Sequence, residues 1–430
     1  MEFTLDSFFN PHLPAGARRI DAVIGARATD AALNGALAAA GKAICFIIDA
    51  SGSMDGDKIR SAKLAARRCI DMLNPSAHFC VISFSNAASA IVPMGPASAA
   101  RKSSAHQAIQ DLDASGGTRM SKALEQARHE FSTASSRIGA AILLTDGEND
   151  QADLKSLRAA IASCQGKFQC DCRGVGSDWR PDELRLVANA LGGNADACVD
   201  PDNLEADFKA FLARAMGKIT ADARLRIWTP KIAKIASVKQ MSPEILDLTS
   251  RGRMIDPKTF EFPLGSWGAE ARDYHIAIDI PPGAHGDEMI ACRAQIVLME
   301  NGAERVFPAP NVIAAWSDDT TLTARINAQV AHYTGQEELA DSIREGLDAL
   351  ARQDNDAATR LLGNAAKIAH DSGNEEVTSR LRKVVDIVDP DAGTVRLRAG
   401  AGKADALELD MGGTRTVRRR VGSNPTTDAP

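Results

Sequence analysis

Aromatic side chains are scarce in this chain: thirteen Phe, four Trp and two Tyr make up 4% of 430 residues. Proteins that bind single-stranded nucleic acid stack bases on aromatic platforms in a basic groove. Few rings and a formal net charge of −6 therefore disfavour nucleic acid as a partner. Long hydrophobic runs are missing too, and nothing approaches the ~18 apolar residues of a membrane span. The start, Met1 to Asp6, is acidic and lacks the basic and apolar regions of a signal peptide. The eight cysteines form no regular framework, and several sit in apolar runs such as Ala43-Ile44-Cys45-Phe46. A reduced, cytoplasmic protein is the expectation. Cys170 and Cys172 would face the same way on a strand, with Cys164 and Cys198 as candidates to lie near. No CxxC or HxxxH pattern accompanies them, so core thiols are the better reading than zinc ligands.

What is present is a globular composition, 44% hydrophobic and 25% charged, long enough for several domains. Residues 1–41 read as an extended lead-in that lends strands to another domain. Residues 42–217 alternate strand and helix patterns. Ile44 to Asp49 is a continuous apolar run ending in an acid, as expected of a strand buried on both faces. Ile59, Ala62, Ala66, Cys69 and Leu73 then keep helical spacing. Further strand patterns at 78–84, 140–145, 168–175 and 195–199 alternate with helices. This rhythm predicts an α/β fold, a doubly wound, Rossmann-like domain. Residues 218–316 break into short strand-like pieces separated by Pro281-Pro282-Gly283 and Asn301-Gly302, which predicts a β-sandwich. Residues 320–388 return to helical spacing, as a hairpin or small bundle. Residues 389–430 turn to Asp, Gly, Ala and Arg and are expected to form a flexible tail.

The chemistry concentrates in Asp49-Ala50-Ser51-Gly52-Ser53, directly after the first parallel strand. Asp49, Ser51 and Ser53 alternate along a short loop, so three oxygen-bearing side chains can converge. Gly116-Gly117-Thr118 precedes a helix, and Thr145-Asp146-Gly147 ends a strand. Loops at the carboxyl ends of strands form the binding crevice of a doubly wound sheet. Hydroxyls and carboxylates without His or Cys suit a hard octahedral cation such as Mg²⁺, with Mn²⁺ or Ca²⁺ as substitutes.

These residues resemble the von Willebrand factor type A domain and its metal-ion-dependent adhesion site. That site has an Asp-x-Ser-x-Ser motif, a distant Thr and a distant Asp, matched here by Asp49, Ser51, Ser53, Thr118 and Asp146. The resemblance covers residues 42–217. It implies that Ser51, Ser53 and Thr118 touch the metal, while Asp49 and Asp146 act largely through water and hold the hydroxyls. It also implies neighbouring first and fourth strands, and an open coordination position filled by an Asp or Glu of a partner protein. In the family the domain is familiar as an insertion in a β-sandwich, which suits the extended lead-in here. The function it implies is non-enzymatic protein interaction. A cofactor protein of an AAA+ ATPase of the MoxR-like kind is the alternative within that class. A phosphohydrolase is the less favoured reading. Asp49 resembles the strand-end nucleophile of haloacid-dehalogenase-like phosphatases, but Ser51 stands where their second acid would be, and no His lies in the three loops.

The tail carries a second signal. Arg415, Arg418, Arg419 and Arg420 give residues 414–420 a local charge of +4 around Thr414 and Thr416. Both threonines are candidate phosphorylation sites for a Ser/Thr kinase. Val417, three residues after Thr414, resembles the spacing in ligands of forkhead-associated domains. Bacterial kinase, phosphatase and forkhead-associated signalling sets are the setting that this analogy implies.

Overall fold

The computed structural model describes residues 1–29, 41–134, 138–300 and 303–419. The Asn301-Gly302 turn, Arg420 and most of residues 30–41 lie outside the described residues. β1 (Glu2–Phe9), β2 (His12–Pro14) and β3 (Arg19–Thr29) open the chain. The α/β domain follows, with β4 (Lys42–Asp49), α1 (Asp57–Met72), β5 (His78–Phe84), β6 (Ala88–Pro96), α2 (Ala99–Gln110) and α3 (Met120–Thr133). It continues through β7 (Ile138–Thr145), α4 (Leu154–Cys164), β8 (Gln169–Val175), α5 (Pro181–Ala190), β9 (Ala195–Cys198) and α6 (Leu204–Gly217).

The continuous apolar run of β4 occupies the middle of a sheet ordered β6-β5-β4-β7-β8-β9, in which only β6 is antiparallel. Ile44, Phe46 and Ile48 pack on one face under α1 and α6. Cys45 and Ile47 pack on the other under α3, α4 and α5. Burial on both faces removes any reason for polar alternation, which is why the run is unbroken. The chain leaves β4 towards β5 and returns to β7 on its other side. The switch in direction therefore opens a crevice beyond the carboxyl ends of β4 and β7. All eight cysteines are buried and unpaired. Cys164, Cys170 and Cys172 share one core with Cys45 and Cys80, whereas Cys198 lies in the core on the other face of the sheet.

Next come β10 (Lys218–Trp228), β11 (Lys234–Ser242), β12 (Leu246–Asp247), β13 (Arg253–Asp256), β14 (Thr259–Gly268), β15 (Ala271–Asp279), β16 (Glu288–Glu300), β17 (Ala303–Pro308) and β18 (Val312–Ser317). They make two sheets, β1-β3-β15-β11-β12 and β13-β14-β10-β16-β18-β2, with β17 paired to β16. The first strands of the chain thus complete the sandwich, and the α/β domain is inserted between β3 and β10. In β3, Ile20, Ala22, Ile24, Ala26 and Ala28 face the core between the sheets. Val23 points the other way, onto Met241 and Tyr333. Tyr333 belongs to α8 (Ala328–Ala351), which follows α7 (Thr320–Thr323) and precedes α9 (Asn355–Asp371) and α10 (Glu375–Val384).

The expectation of a flexible tail from residue 389 is wrong for the described part. β19 (Val385–Asp389) and β20 (Thr394–Leu397) form a hairpin, and α11 (Lys403–Gly412) follows. Leu409 of α11 sits in the core of the helical unit, and Met411 in a core of the α/β domain. A helix that buries residues towards two bodies shows no single apolar stripe, so its period was not legible. Beyond it, residues 413–419 run as a strap across all three units. Arg415 pairs with Asp196 of β9 and Glu376 of α10. Arg380 of α10 reaches the same Asp196 at 3.0 Å. Arg418 clasps Asp273 of β15 through two bonds of 2.9 Å, and the Tyr333 hydroxyl donates to the same carboxylate. Two arginines of the basic stretch, Arg415 and Arg418, are therefore paired with acids within the molecule.

Asp273 is almost fully buried. Removing a partner from such a carboxylate leaves it undercompensated. Arg418→Met should cost about 2 kcal/mol, the scale of a lost hydrogen bond to a buried charge. Differential scanning calorimetry should show a lowered melting temperature for it and little change for Arg419→Met, whose guanidinium donates to the Ala328 carbonyl at the exposed start of α8.

Candidate metal centre

Asp49 is the last residue of β4 and is fully buried. One carboxylate oxygen accepts the Ser51 amide at 2.7 Å, and the other accepts the Thr145 hydroxyl from the end of β7. The first bond folds the chain back after the strand, so Ser51 and Ser53 turn towards β7. Their hydroxyl oxygens lie 3.1 Å apart, and Ser53 Oγ donates to Asp146 Oδ1 at 2.7 Å. Asp146 is also fully buried.

Thr118 arrives from the loop between α2 and α3. Backbone bonds stitch that loop to the β4 loop: Ser115 N to Ala50 O at 2.7 Å and Gly52 N to Gly116 O at 3.0 Å. Gly116 has a φ of +87°, a conformation that favours glycine. Gly147 matters for a different reason. A Cβ there would come within 3.0 Å of Thr118 Oγ1 and 3.5 Å of Ser53 Oγ. The missing side chain lets the two hydroxyls face each other across the backbone. The structure thus brings Asp49, Ser51, Ser53, Thr118 and Asp146 to one place. Thr414 and Thr416 lie elsewhere, on the strap. The Thr414 carbonyl accepts the Ile245 amide at 2.8 Å, and the Thr416 hydroxyl donates to the Met241 carbonyl.

The oxygen set fits a small divalent cation. Octahedral Mg²⁺ binds at about 2.1 Å, which separates adjacent ligand oxygens by about 3 Å. Ser51 and Ser53 already show that separation at 3.1 Å. The donors are all hard, and among the described residues no cluster of three His, Cys, Asp or Glu side chains gathers to hold a softer metal. Ser51 and Thr118 are buried while Gly52 and Ser53 are exposed, so access is from the Ser53 side.

Burial pushes the Asp49 carboxyl up to about 6, and the charge of Asp146 adds to the rise. The hydrogen bonds from Thr145 and Ser51 oppose it. Other residues at the centre were not singled out from sequence. Thr145 holds Asp49. Asn149 accepts the Met120 amide at 2.8 Å, and Asp153 accepts the Ser121 amide at 3.0 Å. These two cap α3 from the β7 loop, because its own N-cap residue, Arg119, offers no side-chain cap. Lys58 donates to Asp146 Oδ2 at 2.5 Å. A lysine in the first turn of a helix, against the dipole, was the available signal for it.

Comparison with known proteins decides the family. The von Willebrand factor type A domain family matches residues 42–197. The von Willebrand factor type A C-terminal domain family matches residues 367–413. A solved structure described as von Willebrand factor type A from Catenulispora acidiphila is 41% identical, covers 97% of each chain and superposes with a TM-score of 0.89. This chain belongs to the von Willebrand factor type A family. The A-type fold extends to the ArnB paralog VWA2 from Sulfolobus acidocaldarius, 16% identical over 96% of this chain and 98% of that one, with a TM-score of 0.60. An uncharacterized protein of Synechocystis sp. is 30% identical over 48% of this chain, which spans half the length of that relative. The C-terminal match ends at residue 413, just after α11, so part of the segment expected as a tail is a recognised unit of the family.

The raised Asp49 of the A-type domain yields a pH test. A carboxyl held above its ordinary value favours folding in its neutral form. That contribution is complete below the unfolded pKa near ~4 and is lost as pH rises through about 6. Asparagine mimics the neutral acid. In EDTA, Asp49→Asn should therefore match wild type near pH 4 and exceed its stability above pH 6, as read by urea unfolding at each pH.

Proposed function

We propose that this chain is a non-enzymatic protein-interaction module that holds Mg²⁺ at a metal-ion-dependent adhesion site and through it takes an Asp or Glu of a partner protein. The observation that carries the proposal is the convergence of three hydroxyls and two buried carboxylates, all oxygen, at the β4/β7 switch. Ser51, Ser53 and Thr118 would hold the ion, with Asp49 and Asp146 fixing the hydroxyls and balancing its charge. When bound, the ion supplies an electrophilic position that a carboxylate can fill.

The arrangement of the protein's own groups favours binding over catalysis. Asp49 accepts two hydrogen bonds and is shut away from solvent, so it is poorly placed as a nucleophile. Asp146 is engaged by Ser53 and Lys58. No histidine stands in the three loops to act as a base. A phosphorylated tail captured by a forkhead-associated domain is not part of this reading. Modifying Thr416 would break its bond to the Met241 carbonyl and disturb the strap.

Isothermal titration calorimetry with MgCl₂ tests the metal half. Wild type should bind one ion, while Asp49→Ala and Thr118→Ala should weaken binding by about tenfold or more, the scale of a lost ligand or supporting group. Equal heats from all three would contradict the reading. The absence of turnover on a panel of phosphate esters, with Mg²⁺ present, is the expected result for the non-enzymatic half.

A further inference from the structure

Lys58 is the second residue of α1, where the partial positive charge of the helix N-terminus disfavours a cation. The N-cap, Gly56, offers no side chain to offset this. The lysine is nonetheless held there. Its ammonium lies 2.5 Å from Asp146 Oδ2, and its side chain is one-quarter exposed while that of Asp146 is fully buried. It also leans on a third strand end. A Cβ built on Gly176, just past β8, would lie 3.4 Å from Lys58 Cε and 3.6 Å from Nζ. Asp146 therefore divides its carboxylate between two donors, Ser53 Oγ on Oδ1 at 2.7 Å and Lys58 Nζ on Oδ2. The first donor is a proposed metal ligand. The second is a tethered ammonium on the same carboxylate.

A buried carboxylate without a counter-charge is costly, and a helix-end lysine without one is mildly costly. The pair relieves both. A divalent cation entering beside Ser53 would neutralise the same carboxylate and repel the ammonium at short range. We infer that Lys58 is a tethered competitor of the divalent cation: it neutralises Asp146 in the metal-free protein and thereby lowers the affinity of the centre for the metal. The inference rests on the metal-site reading above and concerns how tightly that site holds its ion.

The test uses the full chain, MgCl₂ alone as probe, and the variants Lys58→Met, Lys58→Gln and Lys58→Arg. Calorimetric titration should give Lys58→Met and Lys58→Gln an affinity for Mg²⁺ about tenfold or more above wild type, the size of a neighbouring-charge effect on a carboxylate. Lys58→Arg, which keeps the charge, should stay within about threefold of wild type. Melting curves supply a second readout that does not need tight binding. In EDTA, Lys58→Met should melt below wild type. In saturating Mg²⁺ the difference should shrink or reverse, because ligand binding adds stability that grows with the logarithm of the affinity. A lysine that merely packs would lower both melting temperatures equally. Equal Mg²⁺ affinities for wild type, Lys58→Met and Lys58→Gln overturn the inference while leaving the metal site standing. No uptake by any variant overturns the metal reading and this inference with it.

Discussion

Two carboxylates are buried together at one edge of a parallel sheet, and like charges in a poorly solvated place repel. Asp49 ends β4 and Asp146 directly follows β7, a strand that pairs with β4, and both carboxylates are fully buried. The details around them answer that constraint. Asp49 receives an amide and a hydroxyl, Asp146 a hydroxyl and an ammonium. Gly147 gives up its side chain so that Thr118 can approach Ser53. The Ser115 and Gly52 backbone bonds lock the loop that carries Thr118. A divalent cation would complement such a cluster, because it carries two positive charges and takes lone pairs of hydroxyl oxygens that donate only their hydrogens to the carboxylates.

The rest of the molecule acts as a frame for that edge. The A-type domain is inserted in the sandwich, so its two ends enter strands of the two different sheets, β3 before and β10 after. On its far side, strand β9 would be an exposed sheet edge, a surface prone to unwanted pairing. Contacts from α11 and the strap cover this side. Asp196 of β9, nearly buried, gathers Arg380 and Arg415. Arg185 of α5 binds Asp410 of α11 at 3.0 Å. These contacts fix the β9 edge, while Gly52 and Ser53 at the candidate centre stay exposed.

Much of this was legible in the sequence, and the exceptions have physical causes. The unbroken run Ile44 to Asp49 marked a doubly buried strand, and alternation with helical spacing marked the doubly wound sheet. Asp49, Ser51 and Ser53 stood out because they alternate within one loop. Thr118 and Asp146 were placed by resemblance, since spacing alone does not say that β4 and β7 are neighbours. Helix α2 went unnoticed because it buries only Ala105 and Ile109 and has almost no apolar stripe. The strap was misread because a run of arginines looks the same whether its acids lie in a partner or in distant parts of the same chain. Asp196, Asp273 and Glu376 are those acids, and only the fold brings them to Arg415 and Arg418. Lys58 was missed for a similar reason: its partner, Asp146, is 88 residues away.

Three hydroxyls supported by two carboxylates would hold one divalent cation and leave it a coordination position for an acidic group. The most direct measurement is anomalous scattering from crystals grown with Mn²⁺ and soaked in acetate. The expected result is a single strong peak within bonding distance of Ser51 Oγ, Ser53 Oγ and Thr118 Oγ1, with an acetate oxygen on its solvent side. A well-ordered centre with no peak there at millimolar Mn²⁺, or a peak at other residues, would contradict it.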